Sequence, residues 1–356
     1  MTERRISVVI ACTHGADQVG RILAALDGQT LRKLTEVILV GDGDLGPLRE
    51  VAAAHDARVV AATGSSLAAW WNSGWREARS PLVAFTHEVC RPRPDWLARL
   101  VTTFAEHPRA AGVGGAVVLN GMDSFALRFL QRNSPDAPLE RNLLDSARLV
   151  DRLWLYLRRC AGVDHVSGSR PVASLVSANM AYRVDALLAV GGFDERFDEG
   201  AEEDLCRRLQ VEAAAERDEP AEPSVLWFSP VALVDHDDRP DLRESLRRSR
   251  RSGREKARMF MAHSSEQNPV IYPLPFLVAG LAVRAAVRRS PGTSVVAAAL
   301  PVMLFSRWLR AALRGRDPEL LLYPYVELAQ ETYSNIGMAE TLVRERSRFS
   351  RTRGDG

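Results

Sequence analysis

Apolar runs and helically spaced apolar residues alternate over the first 120 residues. Ile6–Ile10 is a short, largely β-branched apolar run, the pattern of a strand buried on both faces. Val19, Ile22, Leu23 and Leu26 then share one face of a helix predicted over Asp17–Leu26. The alternation continues with strands at Val37–Val40, Arg58–Ala61, Leu82–Phe85 and Gly112–Leu119, and helices at Leu48–Ala54, Leu67–Ala78 and Asp95–Glu106. This order predicts a parallel, doubly wound sheet with right-handed crossovers. Such sheets take ligands beyond the carboxyl ends of their strands. Three loops are thereby singled out: Cys12–Gly15, Gly41–Asp44 and His87–Arg91.

The pattern breaks at residues 120–170, which are polar and Arg-rich and are expected to form a substrate-facing insertion. It resumes at Ser174–Tyr182. Gly191–Gly192–Phe193–Asp194–Glu195 signals a turn, and Glu202–Leu209 a helix whose acidic first turn suits its dipole. Val225–Phe228 and Val231–Val234 read as two short strands. From Arg239 the composition changes: Arg239–Arg258 holds nine Lys+Arg and three acidic residues. The apolar stretches Val270–Val283 and Ser294–Phe305 follow, each with proline and flanking arginines. Both fall below the roughly 18–20 apolar residues of a spanning helix and suit helices lying in a membrane interface. A buried hairpin packed on the first domain and a true transmembrane span are the other readings. The predicted organisation is a domain over 1–238, a basic linker helix over 239–262 and a helical, membrane-associated region over 263–356.

At 356 residues, 46% apolar and 26% charged, the chain is long enough for two domains and excludes disorder or a coiled coil. The net charge of +2 hides a division: residues 239–356 hold 21 Lys+Arg against 11 Asp+Glu, and the rest is net acidic. The basic stretch lacks interleaved aromatic residues, so nucleic acid is not the expected partner; an anionic membrane surface is. Cys12, Cys90, Cys160 and Cys206 form no C-x-x-C pair, which points away from a zinc site or a disulfide framework. Met1–Arg5 is polar and the next apolar run is too short for a signal peptide. The expected location is the cytoplasm, peripheral on the inner face of the plasma membrane.

From Ile6 to His236 the ordered set of motifs resembles family 2 glycosyltransferases. Gln29–Thr30 is similar to the family's opening "Q-T". Glu36–Gly43 (EVILVGDG) resembles its strand ending in V-D-D-G, and Ala69–Gly74 its A-x-N-x-G helix. Leu82–Leu97 (LVAFTHEVCRPRPDWL) resembles the strand carrying D-x-D followed by P-x-W-L. Ser177–Asn179 resembles S-G-A-N, and Val190–Phe197 (VGGFDERF) is the most specific match. The resemblance implies a GT-A fold, α/β and Rossmann-like with a mostly parallel doubly wound sheet, here with a helical C-terminal extension. It also implies inverting transfer of a sugar from a nucleotide-diphosphate donor to a cell-envelope or lipid-linked saccharide acceptor.

The resemblance carries roles onto particular residues. Asp42 would accept hydrogen bonds from the donor's base, with Cys12, Thr13, Asn72, His87 and Glu88 around the donor and Asn179 on the acceptor side. His87, Glu88 and His236 would hold Mn or Mg, which offsets charge on the departing diphosphate. Glu202 would take the acceptor's proton, and Asp204 keeps the later acidic position. The sequence departs from the family at these points. V-D-D-G reads Val40–Gly41–Asp42–Gly43, D-x-D reads His87–Glu88–Val89, and E-D-x-D-L reads Ala201–Glu202–Glu203–Asp204–Leu205. Three outcomes fit: a metal site with histidines, a metal-independent site in which Arg91 or Arg93 meets the diphosphate, or an inactive GT-A protein that serves as a binding or scaffolding partner. Trp70, Trp71 and Trp75 are expected in the core.

Overall fold

The computed structural model describes residues 5–13, 15–133, 149–162, 168–197, 200–215, 225–237, 239–262 and 270–345. The chain forms two units, Met1–Met122 with Val166–Arg239, and Asp123–His165 with Pro240–Gly356.

The first unit is built on a nine-stranded sheet. Its strands are β1 (Ile6–Ala11), β2 (Thr35–Gly41), β3 (Ala57–Ala61), β4 (Leu82–His87), β5 (Cys90–Pro92), β6 (Gly112–Leu119), β7 (Arg170–Pro171), β8 (Met180–Arg183) and β9 (Leu226–His236). The order is β3-β2-β1-β4-β8-β6-β9-β5, with β7 paired to β9. Every residue of β1 and β2 is buried, which is why these strands read as apolar runs and not as alternations. Helices α1 (Ala16–Asp27), α2 (Gly46–Ala53), α3 (Leu67–Arg76) and α4 (Trp96–Glu106) connect the early strands.

Two strand expectations need correction. The sheet is mixed, because β8 runs antiparallel between β4 and β6. The two short strands after Val225 are one strand, β9. Its register with β6 jumps from Gly115↔Ser229 to Ala116↔Leu233. Pro230, which has no amide proton to donate, falls in that bulge.

The second unit is helical: α5 (Phe125–Arg132), α6 (Leu149–Ala161), then, after the short α7 (Val184–Ala189) and α8 (Ala201–Ala215) of the first unit, α9 (Leu242–Ala262), α10 (Leu274–Arg288), α11 (Pro291–Leu304), α12 (Ser306–Gly315) and α13 (Tyr323–Arg344). Phe129, Tyr156, Cys160, Val270, Tyr272, Phe305, Trp308 and Tyr323 share its core. Within the polar 120–170 stretch, the described residues 123–133 and 149–162 group with this helical unit, whereas 120–122 and 168–170 group with the sheet unit. The expected linker, residues 239–262, is likewise a packed helix. Ser245, Gly253, Ala257 and Met259 of α9 are buried, and its Arg250, Arg254 and Arg258 pair with Glu340 and Glu345 of α13 and its C-cap. Much of the basic stretch is thus balanced within its own unit.

Candidate active site

The carboxyl ends of β1, β2 and β4 lie side by side, since Ala11 pairs with both Val40 and His87. That register brings the loops Cys12–Thr13, Asp42–Asp44 and His87–Glu88 to one rim of the sheet. His236 joins them, because it ends β9 opposite Cys90 and Leu119. His14 lies outside the described residues.

Glu88 is the best-defined charge of the rim. It is 2% exposed, and its Oε1 accepts hydrogen bonds from the Thr13 amide and the Thr13 hydroxyl, both 2.8 Å. A buried carboxylate is costly unless donors reach it, and Thr13 supplies two. The same charge, after burial itself, pushes the half-buried Cys12 thiol up, so Cys12 stays protonated. Its Sγ donates weakly to the Ile10 carbonyl at 3.5 Å, and its amide to Val40. Asp42 is exposed at the end of β2, and its Oδ1 accepts from the Gly43 amide at 2.7 Å, which sets the turn.

His87 is pushed down to about 4, by burial first and then by neighbouring His236, against the opposing pull of Glu88. It is therefore a neutral imidazole at pH 7. Its ring stands 6.2 Å from Trp71, at the edge of an aromatic cluster with Phe85, Tyr182 and Phe193. The expected ligand set of His87, Glu88 and His236 is not assembled. Among the described residues no three His, Cys, Asp or Glu side chains gather to hold an ion. Arg91 and Arg93 are engaged too, with Asp237 and Asp235 across the β5–β9 pair, which argues against either as a ready diphosphate clamp.

Three further residues sit elsewhere than expected. Asn72 is 1% exposed and fully committed. Its Nδ2 donates to the Phe193 carbonyl and Glu195 Oε1, both 2.8 Å, and its Oδ1 accepts from the Phe193 amide and the Trp75 indole. No valence remains for a donor sugar. Asn179 is fully buried; it donates to the Ala116 and Ala232 carbonyls at 2.9 Å and accepts from the Trp96 indole. It ties α4 to β6 and β9 beside the bulge and does not reach an acceptor. Asp204 is 2% exposed and paired at 2.7 Å with Arg208, which also donates to the Val190 and Gly192 carbonyls. This pair, with its carboxylate buried, fastens α8 to the Gly191–Glu195 turn and engages Asp204 with Arg208. Glu202 remains half-buried on the first turn of α8, where its charge opposes ionisation of Tyr182 and Cys206.

The residue missed from sequence is Arg208. The signal was present, since Asp204 and Arg208 stand four apart on a helix. The turn it holds shows why Gly192 is glycine: φ is +79°, and a Cβ would lie 2.7 Å from Asn72 Oδ1 and Trp75.

A mixed sheet of this order, with a helical C-terminal region, is the GT-A architecture. Residues 7–160 match the model of glycosyl transferase family 2. Over 326 residues, 90% of its length, the chain is 28% identical to the pre-mycofactocin glycosyltransferase of Mycobacterium tuberculosis, in strains CDC 1551 / Oshkosh and ATCC 25618 / H37Rv. It spans 60% of the length of those curated relatives. Among solved structures it is similar to a mannosyltransferase from Pyrobaculum calidifontis in complex with GDP-Man and Mn2+. That match has a TM-score of 0.56 at 18% identity, over 96% of this chain and 88% of the other.

Proposed function

We propose that the protein is an inverting glycosyltransferase that moves a sugar from a nucleotide-diphosphate donor to a cell-envelope or lipid-linked saccharide at a membrane surface. The observation that carries this reading is the rim itself: Thr13 holds the buried Glu88 carboxylate at 2.8 Å between the ends of β1 and β4, with Asp42 on the next strand end. Asp42 suits the base of the nucleotide through its solvent-facing oxygen. Neutral His87 places no positive charge beside Glu88 and can exchange a hydrogen bond with the donor. Glu202 is the base: it accepts the proton of the acceptor hydroxyl as that oxygen attacks the anomeric carbon, and the sugar–phosphate bond breaks on the opposite face. The diphosphate leaves with the bonding electron pair, and the anomeric centre inverts. Any Mn or Mg is proposed to arrive with the donor's diphosphate, since the described residues do not gather a resident site.

Calorimetry with UDP, GDP and dTDP sugars, with and without Mn, tests the reading. Saturable binding of one donor followed by hydrolysis or transfer is the expected result; no binding to any of them sinks it. Glu202→Gln should abolish turnover and leave donor affinity within about twofold. Full activity in that variant overturns the base assignment. The engaged Asp204 favours a second reading, a GT-A protein that binds a partner or saccharide without transfer. Donor binding with no turnover by the unaltered protein would select it.

A further inference from the structure

Helices α10 and α11 pack on each other and are apolar almost throughout, yet little of either is covered. Of the 15 residues of α10 only Leu274 and Ala285 are buried, and of the 14 of α11 only Ala297 and Pro301. Phe276, Val283 and Val287 recur on one side of α10 and are 62%, 63% and 78% exposed. Val295 and Met303 of α11 are each 68% exposed. A helix that is apolar all round is stable when something covers it. Contiguous apolar surface of this kind marks an interaction site.

The charge pattern identifies the cover. Residues 270–316 contain seven arginines and no aspartate or glutamate. Arg284, Arg288 and Arg289 are exposed at the end of α10, and Arg314 and Arg316 at the end of α12. Facing a second copy of itself, this surface would set arginines against arginines. A bilayer offers apolar chains beneath phosphates, which complements both features at once. The dimensions decide how it binds. At 1.5 Å per residue α10 is about 22 Å long, short of the ~30 Å hydrocarbon core. Among the described residues no single helix is long and apolar enough to cross a membrane, and the α11–α12 pair bends by 77°.

We infer that the α10–α11 hairpin is a monotopic docking element that lies in the interface of an anionic bilayer, with its valines, Phe276 and Met303 among the acyl chains and its arginines at the headgroup phosphates. This deepens the membrane part of the proposed function, though it rests on no step of sugar transfer.

The test is cosedimentation of the full chain with phosphatidylcholine vesicles, with and without about a third of phosphatidylglycerol. Binding should be at least about tenfold tighter on the anionic vesicles and weaken in high salt. The variant Val283→Glu/Val287→Glu/Met303→Glu changes exposed side chains, so its thermal melt should match the parent while vesicle binding falls about tenfold or more. Arg288→Glu/Arg289→Glu should lose the preference for anionic lipid. Equal binding by parent and variants overturns the inference, as does failure of the parent to bind. So does a concentration-dependent dimer that the triple variant dissociates, because a second copy would then be the cover. Donor binding measured on the parent and the same variants separates the two readings: its absence in the parent would remove the transferase reading and leave the vesicle result standing.

Discussion

Asn72 makes four hydrogen bonds with its four hydrogen-bonding positions, and that fixes what a substitution there can do. Asn72→Ala leaves the buried Phe193 amide and carbonyl and the Trp75 indole unpaired. We expect a loss of about 2–4 kcal/mol in urea unfolding, most of it the penalty of orphaned groups. His87 gives a pH prediction. Its folded pKa of about 4 lies below its ordinary 6.5, so the unfolded chain takes up the proton first. Its contribution is present above pH 6.5 and is lost as pH falls from 6.5 towards 4. Allowing for partial exposure, the loss is about 2 kcal/mol. Urea midpoints of His87→Gln should therefore depend less on pH than those of the parent over this range. Equal slopes would show that His87 is not held neutral. At this scale the sequence located the rim residues Thr13, Asp42 and Glu88, because strand ends follow from apolar runs. It misplaced Asn72, Asn179 and Asp204. Whether a buried polar group faces a ligand or a backbone carbonyl depends mostly on partners more than 25 residues away, here with the exceptions of Trp75 beside Asn72 and Arg208 beside Asp204.

Among elements, the α9–α13 pair shows two effects in opposition. A Cβ on Gly253 would lie 2.0 Å from the Ser334 carbonyl oxygen, and one on Gly337 would lie 2.0 Å from that of Arg250. Helix propensity alone predicts that Gly253→Ala stabilises by about 1 kcal/mol. The close approach predicts the opposite, since the helices must separate or bend, at about 1–3 kcal/mol or more. The clash is with rigid backbone, so we expect net destabilisation, read as a lower melting temperature. A higher one would mean that the helices adjust freely. Periodicity located the strands β1, β2, β3, β4 and β6 and their helices to within a few residues. It missed the antiparallel insertion of β8 and the continuity of β9, because register and neighbour order are set across the sheet and not along the strand.

The molecule as a whole divides otherwise than its linear composition suggests. Charge suggests a change near residue 239; the second unit takes residues 123–165 together with 240–356. Their partners, Val270, Tyr272, Trp308 and Tyr323, lie more than a hundred residues on, beyond the reach of any local pattern. A chain ending at Arg239 would keep the full sheet yet strand Phe129, Tyr156 and Cys160 without their core. It should bind a hydrophobic dye and elute as aggregate, whereas a self-sufficient 1–238 domain would elute as a compact monomer.

The chain thus passes between the units three times, at about residues 122, 165 and 239. Synthesis gives this route a timetable. Phe129 emerges from the ribosome almost two hundred residues before Tyr323, the residue against whose ring it packs. At roughly 5–20 residues per second, α5 waits about 10–40 s for its partner. Long-range contacts of this kind are slow to form. Nascent chains halted between residues 165 and 320 are thus the clients that chaperones should hold most tightly.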